Sequence, residues 1–240
     1  MKNFNAVRIF SNKYRWCRVL LCAAFFTLHS SLFTSCEQDN YDKGEGEYSL
    51  MRADFVEAHV GSDKKVDYIV TDDGDSLAAE PRFTIKAIET ADTTYRAVLY
   101  YNKVKNSLGK TVAEAKGMSL VPTLFAHRAT GDVKTDAVKF ESIWLSANKR
   151  YLNTSIILMT GQPDEEDVHQ TLAIIQDTIM QQADGRLTAH YRLYHDQGGV
   201  PEYYSLQRFF SIPVRSIKAD SVRLEMQTYD GVIVRTVPVR

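Results

Sequence analysis

The side chains able to do chemistry are few and scattered. Beyond the first 35 residues the histidines are His59, His127, His169, His190 and His195, and only the last two sit close together, in HYRLYHD. Their odd spacing along a strand sends them to opposite faces, so they cannot grip one metal from that strand alone. Without a cysteine cluster or a His-Glu-x-x-His helix, no zinc site is expected. A serine hydrolase would carry its nucleophile in Gly-x-Ser-x-Gly, and the chain has none. Glu57, Glu141 and Glu202 fall in strands or at strand ends, where carboxylates that meet in space could cleave a glycoside; the plainer reading is three solvated strand residues. TDDGDS, residues 71–76, invites calcium but lacks the alternating Asp pattern and distal Glu of a calcium loop. A hairpin turn with Gly74 at positive φ accounts for it. QPDEEDVH, residues 162–169, reads as a solvated acidic loop between two strands. The expectation is a chain with no catalytic residue, no metal site and no cofactor.

One cysteine stands apart. Residues 1–18 carry Lys2, Arg8, Lys13, Arg15 and Arg18 and no acid, and VLLCAAFFTLHSSLF follows. This is the layout of an export signal, too short to span a membrane comfortably. The run ends in LFTSC, which resembles the lipobox of bacterial lipoproteins. That resemblance implies cleavage between Ser35 and Cys36, acylation of Cys36, and an outer-membrane anchor, since two or more acyl chains hold where one is marginal. Cys17 and Cys22 leave with the signal, so the mature chain has no disulfide and is stabilised by its core alone. Cleavage removes five cations and leaves 24 Lys and Arg against 30 Asp and Glu, a net charge of −6. Such a surface argues against a nucleic-acid partner.

The elements that must position these residues are strands. EQDNYDKGEGE, residues 37–47, has nothing to bury and reads as a flexible tether. From about residue 48 apolar and polar residues alternate: RFTIKAI sets Phe83, Ile85 and Ala87 against Arg82, Thr84 and Lys86, and SVRLEMQ sets Val222, Leu224 and Met226 against Arg223, Glu225 and Gln227. Period two marks half-buried antiparallel strands. DDGD, DQGG and YDG supply turns. KNSLGKTVAEAKGM, residues 105–118, is the one stretch that reads as a short helix or an ordered loop. About five strands precede Ala126 and about seven follow Val138, with the polar segment HRATGDVKTDA between them. The reading is all-β, with a signal peptide over 1–35, a tether over 36–47 and two all-β domains in tandem, over 48–130 and 131–240, at the strand spacing expected of barrels and sandwiches.

Taken in order, FTSC, YIVTDDGDSL, YRAVLYYNKV, VPTLF, FESIWLSANKRYLNTSI and YRLYHDQGGVPEYYS resemble the NigD-like lipoprotein family across most of the mature chain. The resemblance implies that the first of these domains, 48–130, is an OB-like barrel and the second, 131–240, an antiparallel β-sandwich. Its name, from a bacteriocin gene cluster, implies an immunity or accessory role, and it brings no functional residues with it. EQDN after Cys36 replaces a longer acidic run, which leaves surface-exposed and periplasm-facing placements both open.

Tyr100, Tyr101, Lys103 and Lys105 could form a stacking surface of the kind OB barrels offer to oligomers. Four triplets, centred on Ser76, Thr93, Thr178 and Ser221, each have Asp before and a small or aliphatic residue after. They resemble an O-glycosylation site of exported bacterial proteins. The functional expectation is a non-enzymatic, membrane-anchored envelope protein that binds a protein or glycan partner. An envelope hydrolase built on a carboxylate pair, or a subunit of an outer-membrane assembly, is the alternative.

Overall fold

The computed structural model describes residues 50–240 apart from Asp164 and Glu166; Ser35, Cys36, the signal and the tether lie outside the described residues. Strands β1 (Arg52–Val60), β2 (Val66–Thr71), β3 (Ser76–Phe83), β4 (Thr93–Lys105) and β5 (Thr111–Leu120) close into a barrel in the order β1-β2-β3-β5-β4. Val56, Ala58, Ile69, Ala97, Leu99 and Tyr101 fill its interior. Alternation does the sorting. In β1 the inward Val56, Ala58 and Val60 leave Phe55, Glu57 and His59 on the outer wall, and in β4 the inward Ala97, Leu99 and Tyr101 leave Arg96, Val98 and Tyr100 there.

The second half contains β6 (Ala126–His127), β7 (Lys139–Leu145), β8 (Tyr151–Thr160), β9 (Thr171–Gln181), β10 (Leu187–Asp196), β11 (Tyr204–Pro213), β12 (Ser221–Thr228) and β13 (Gly231–Pro238). They form a five-stranded sheet, β13-β12-β10-β9-β6, and a three-stranded sheet, β11-β8-β7. Ile156, Ile174, Tyr191, Phe210, Leu224 and Met226 are among the side chains packed between the sheets. Most pairings are antiparallel. Because β11 leaves for the other sheet before β12 returns, β10 and β12 run parallel, as do β6 and β9. SVRLEMQ behaves as its alternation requires, with Val222, Leu224 and Met226 fully buried on β12.

Two segments depart from their sequence reading. RFTIKAI is strand only as far as Phe83; a turn follows, in which Ile88 N donates to Ile85 O at 3.0 Å. Phe83, Ile85 and Ile88 pack on the barrel core from there, so alternation here marks a turn with apolar contacts and not a paired strand. KNSLGKTVAEAKGM holds no helix. Residues 106–110 form the β4–β5 turn, with Gly109 at φ +72° and the Asn106 side-chain oxygen accepting from the Leu108 and Lys110 amides. The rest is β5, held by its pairing with β4 against the helical preference of Ala, Glu and Lys.

The chain crosses from barrel to sandwich at residues 121–125. Val121 N donates to Arg96 O at 2.8 Å and Leu124 N to Ser211 O at 2.9 Å. The polar segment after β6 then follows the sandwich, with Asp136 N donating to His195 O.

Candidate functional site

The outer wall of the barrel meets the three-stranded sheet through a polar junction. Arg96, with its side chain 2% exposed, donates from Nη1 and Nη2 to the two carboxylate oxygens of Asp72, each at 2.7 Å. Its Nη2 also reaches Asn153 Oδ1 at 3.0 Å on β8, and its Nε reaches Ser211 Oγ at 3.2 Å on β11. Asn153 Nδ2 returns to Asp72 at 2.8 Å, and Ser211 Oγ donates to Asn153 Oδ1 at 2.8 Å. A bidentate pair in which the guanidinium spends two further donors on neighbouring side chains is the geometry that repays burial of an ion pair. The guanidinium lies 4.1 Å over the Tyr151 ring and 5.2 Å over Phe55, and Phe55 meets Trp144 and Phe209 edge-on.

Beside it sits a second buried carboxylate. Glu57 accepts from Tyr151 Oη at 2.6 Å and pairs with Arg150 at 2.7 Å. Burial, with the Glu57 charge added, pushes the Tyr151 phenol up to about 12. Glu57 is thus not the solvated strand residue its position in β1 suggested: β8 covers that part of the barrel wall. Glu141 and Glu202 are exposed, and hydrogen bonds from Ser155 and Gln207 hold the Glu141 carboxyl below its usual range.

The TDDGDS carboxylates part company. Asp72 turns to Arg96, Asp73 to Arg52 at 3.9 Å and Asp75 to Lys103 at 2.5 Å, around a turn in which Gly74 takes φ +94°. Lys103 is therefore a turn partner. Tyr101, placed with it as a surface residue by sequence, is instead fully buried in the barrel and donates to Asp54 at 2.8 Å. His195 points inward, its Nδ1–H donating to Asp136 O at 3.0 Å, while His190 faces the other side of β10.

Further along the same face of β4, Val98 and Tyr100 pass from the junction into a groove of about 810 Å³ between barrel and sandwich. Ser119 and Leu120 continue the barrel wall; Leu158, Leu172 and Val200 lie on the sandwich side; Leu206, Gln207, Arg208 and Phe209 run along one flank. Arg208 is exposed and has no ion-pair partner among the described residues, and no described lining residue is a carboxylate. Gly161 closes one end: a Cβ there would meet Pro201 O and the Tyr203 ring at 2.9 Å. Sequence reasoning reached Tyr100 as an aromatic strand residue but not the groove. No local pattern announces it, because its walls come from strands far apart in the chain.

With this geometry in view, comparison with solved structures returns an immunity protein of Bacteroides caccae described as NigD-like, covering 77% of this chain and 91% of its own at TM-score 0.59 and 21% identity. The fold is the NigD-like one. A Bacteroides vulgatus protein of unknown function shares it over 78% of this chain and 90% of its own (TM-score 0.56, 15% identity). So does a candidate lipoprotein of Bacteroides fragilis, over 78% and 96% (TM-score 0.52, 10% identity). No protein-family model and no curated sequence matches the chain. The NigD-like fold accounts for the barrel-then-sandwich order that the sequence predicted.

The four glycosylation-like triplets are spread over this fold. Ser76 is exposed at the start of β3 and Thr178 is exposed within β9. Thr93 is half-buried, and the half-buried Ser221 shares a 2.8 Å hydrogen bond with Thr188.

Proposed function

We propose that this chain is a non-enzymatic, lipid-anchored envelope protein whose barrel and sandwich are locked together so that the groove between them is ready for a protein or glycan partner. The observation that carries the reading is the groove itself: a concavity of about 810 Å³ lined by aliphatic and aromatic side chains interspersed with polar ones, within the usual range of binding sites. Rigid walls lower the ordering cost of binding, and the Arg96–Asp72–Asn153–Ser211 network supplies that rigidity. The carboxylates of sequence interest favour binding over hydrolysis. Glu57 is committed to Arg150 and Tyr151, Asp72 to Arg96, and none lines the groove among the described residues.

The anchor at Cys36, placement in the outer membrane facing either the surface or the periplasm, and absence of a nucleic-acid role belong to the same proposal. They rest on the lipobox and the acidic mature balance. Immunity is its most specific form, in line with the description of the Bacteroides caccae protein. Ser76 and Thr178, the accessible members of the four triplets, are the sites at which glycan would be carried.

The experiment is cross-linking in intact cells, followed by capture through a C-terminal tag, comparing wild type with Ser119→Trp. Ser119 is an exposed groove residue, and the indole would fill the cleft. A partner recovered with wild type and lost with the variant supports the reading. Equal recovery overturns it.

A further inference from the structure

We propose that the groove takes an extended, acidic polypeptide segment that adds as a strand to the open edge of β11. The inference rests on the groove being the binding site and names the class of partner. It begins with the lining. Leu206, Gln207, Arg208 and Phe209 are consecutive, yet all four border the cavity. Alternate side chains of a strand face opposite ways, so four in a row can line one groove only if it runs along the strand's edge.

That edge is open. β11 is the terminal strand of its sheet, paired only with β8, in a continuous register from Tyr204 to Pro213 without a bulge. The phase of its backbone is fixed by one residue. Ser211 N donates to Pro122 O and Ser211 O accepts from Leu124 N, each at 2.9 Å, so Ser211 turns both groups away from β8. By the period of two, Phe209, Gln207 and Ser205 turn theirs the same way, and no described backbone group meets them. The chain's own residues 122–124 therefore cover the first rung, and among the described residues nothing covers the ladder beyond it.

Natural sheets blunt such edges with proline, bulges or charge. Here YSLQRFF offers one cation and otherwise invites pairing. The barrel wall at Val98, Tyr100 and Ser119 borders the same groove as this edge. From Ser205 to Phe209 the edge runs about 13 Å and presents three residues' worth of paired donors and acceptors. Leu172 and Leu206 receive alternate apolar side chains from the guest. Arg208, with no ion-pair partner and no lining carboxylate among the described residues, selects for an acidic one. Backbone bonds supply affinity and alternate pockets supply specificity, as in other strand-addition complexes.

The test is selection of phage-displayed random peptides on the full-length protein, followed by amide hydrogen exchange with the selected peptide bound. The expected peptides alternate aliphatic residues with at least one Asp or Glu and protect the Ser205, Gln207 and Phe209 amides. Gln207→Pro removes an outward N–H without touching the β8 ladder, so it should weaken binding about tenfold or more. Gln207→Ala, which keeps that N–H, should weaken binding far less than Gln207→Pro, and Arg208→Glu should reject the acidic peptides. Thermal melting of each variant checks its fold. A bound peptide that leaves those amides unprotected, or equal binding by Gln207→Pro, overturns the inference. So does protection of the same amides by self-association without peptide. Failure of peptide selection together with glycan-array binding that Ser119→Trp abolishes overturns the peptide and keeps the groove. Failure of both, with Ser119→Trp neutral in cells, removes the groove reading as well.

Discussion

Arg96 of the barrel donates to Asn153 of the sandwich across a 3.0 Å hydrogen bond, while the same guanidinium holds Asp72 in a bidentate pair. The carboxylate belongs to the barrel, so this contact lets the sandwich share an ion pair that its own residues do not provide. Removing one member strands the other in a site with little water. Arg96→Ala is therefore expected to cost about 3–5 kcal/mol of stability. Adding Asp72→Ala should cost much less than its effect alone, because the uncompensated charge disappears with it. Urea unfolding of the two single variants and the double variant measures this coupling.

Tyr151→Phe removes the hydroxyl that donates to buried Glu57 and should cost about 1–3 kcal/mol. Its pH signature is separate. A phenol raised to about 12 from 10.0 favours its protonated form in the fold, so its stabilisation is complete below the unfolded value. That stabilisation is lost as pH rises through about 12. Ultraviolet titration should show one late-titrating tyrosine fewer in the variant, and its stability should fall less steeply in that alkaline window.

His59 is lowered from 6.5, chiefly by burial beside the Tyr68 ring, on which it stacks at 4.2 Å. The folded chain thus resists a proton that the unfolded chain accepts. Stability is complete above 6.5 and declines as pH falls through the window between that value and the lower folded one. His59→Gln should flatten this decline in urea midpoints taken from neutral to mildly acidic pH. An unchanged slope would refute the assignment.

At the groove's end, Gly161→Ala would drive a methyl into Pro201 O and the Tyr203 ring, both at 2.9 Å. The overpacking should cost about 1–3 kcal/mol and displace the 201–203 segment. Calorimetry measures the first effect and tyrosine fluorescence the second.

The anchor has its own test. Cys36→Ser should abolish incorporation of labelled fatty acid, because the lipobox thiol is the acceptor of the first acyl chains. Undiminished incorporation of the label in the variant would remove the lipid reading.

How far the sequence reaches is visible strand by strand. On β12, SVRLEMQ alternates and its apolar members are buried, since a strand with one covered face must sort its side chains that way. The glycines of DDGD, DQGG and YDG mark turns because each takes positive φ, which costs other residues strain. The same rule set Glu57 on an outer strand face and, by itself, implied solvent there. What covers an outer wall is not written in its own alternation. β8 and β11, brought from more than fifty residues away, turned that wall into a buried network at Arg96 and Glu57, and left it a groove at Val98 and Tyr100. The sequence by itself determined most of the strands and their turns, because those depend on near neighbours and a period of two. Only the tertiary structure decided which charges are buried, which edge stays open and where a partner would fit, because those depend on surfaces that meet after the strands have formed.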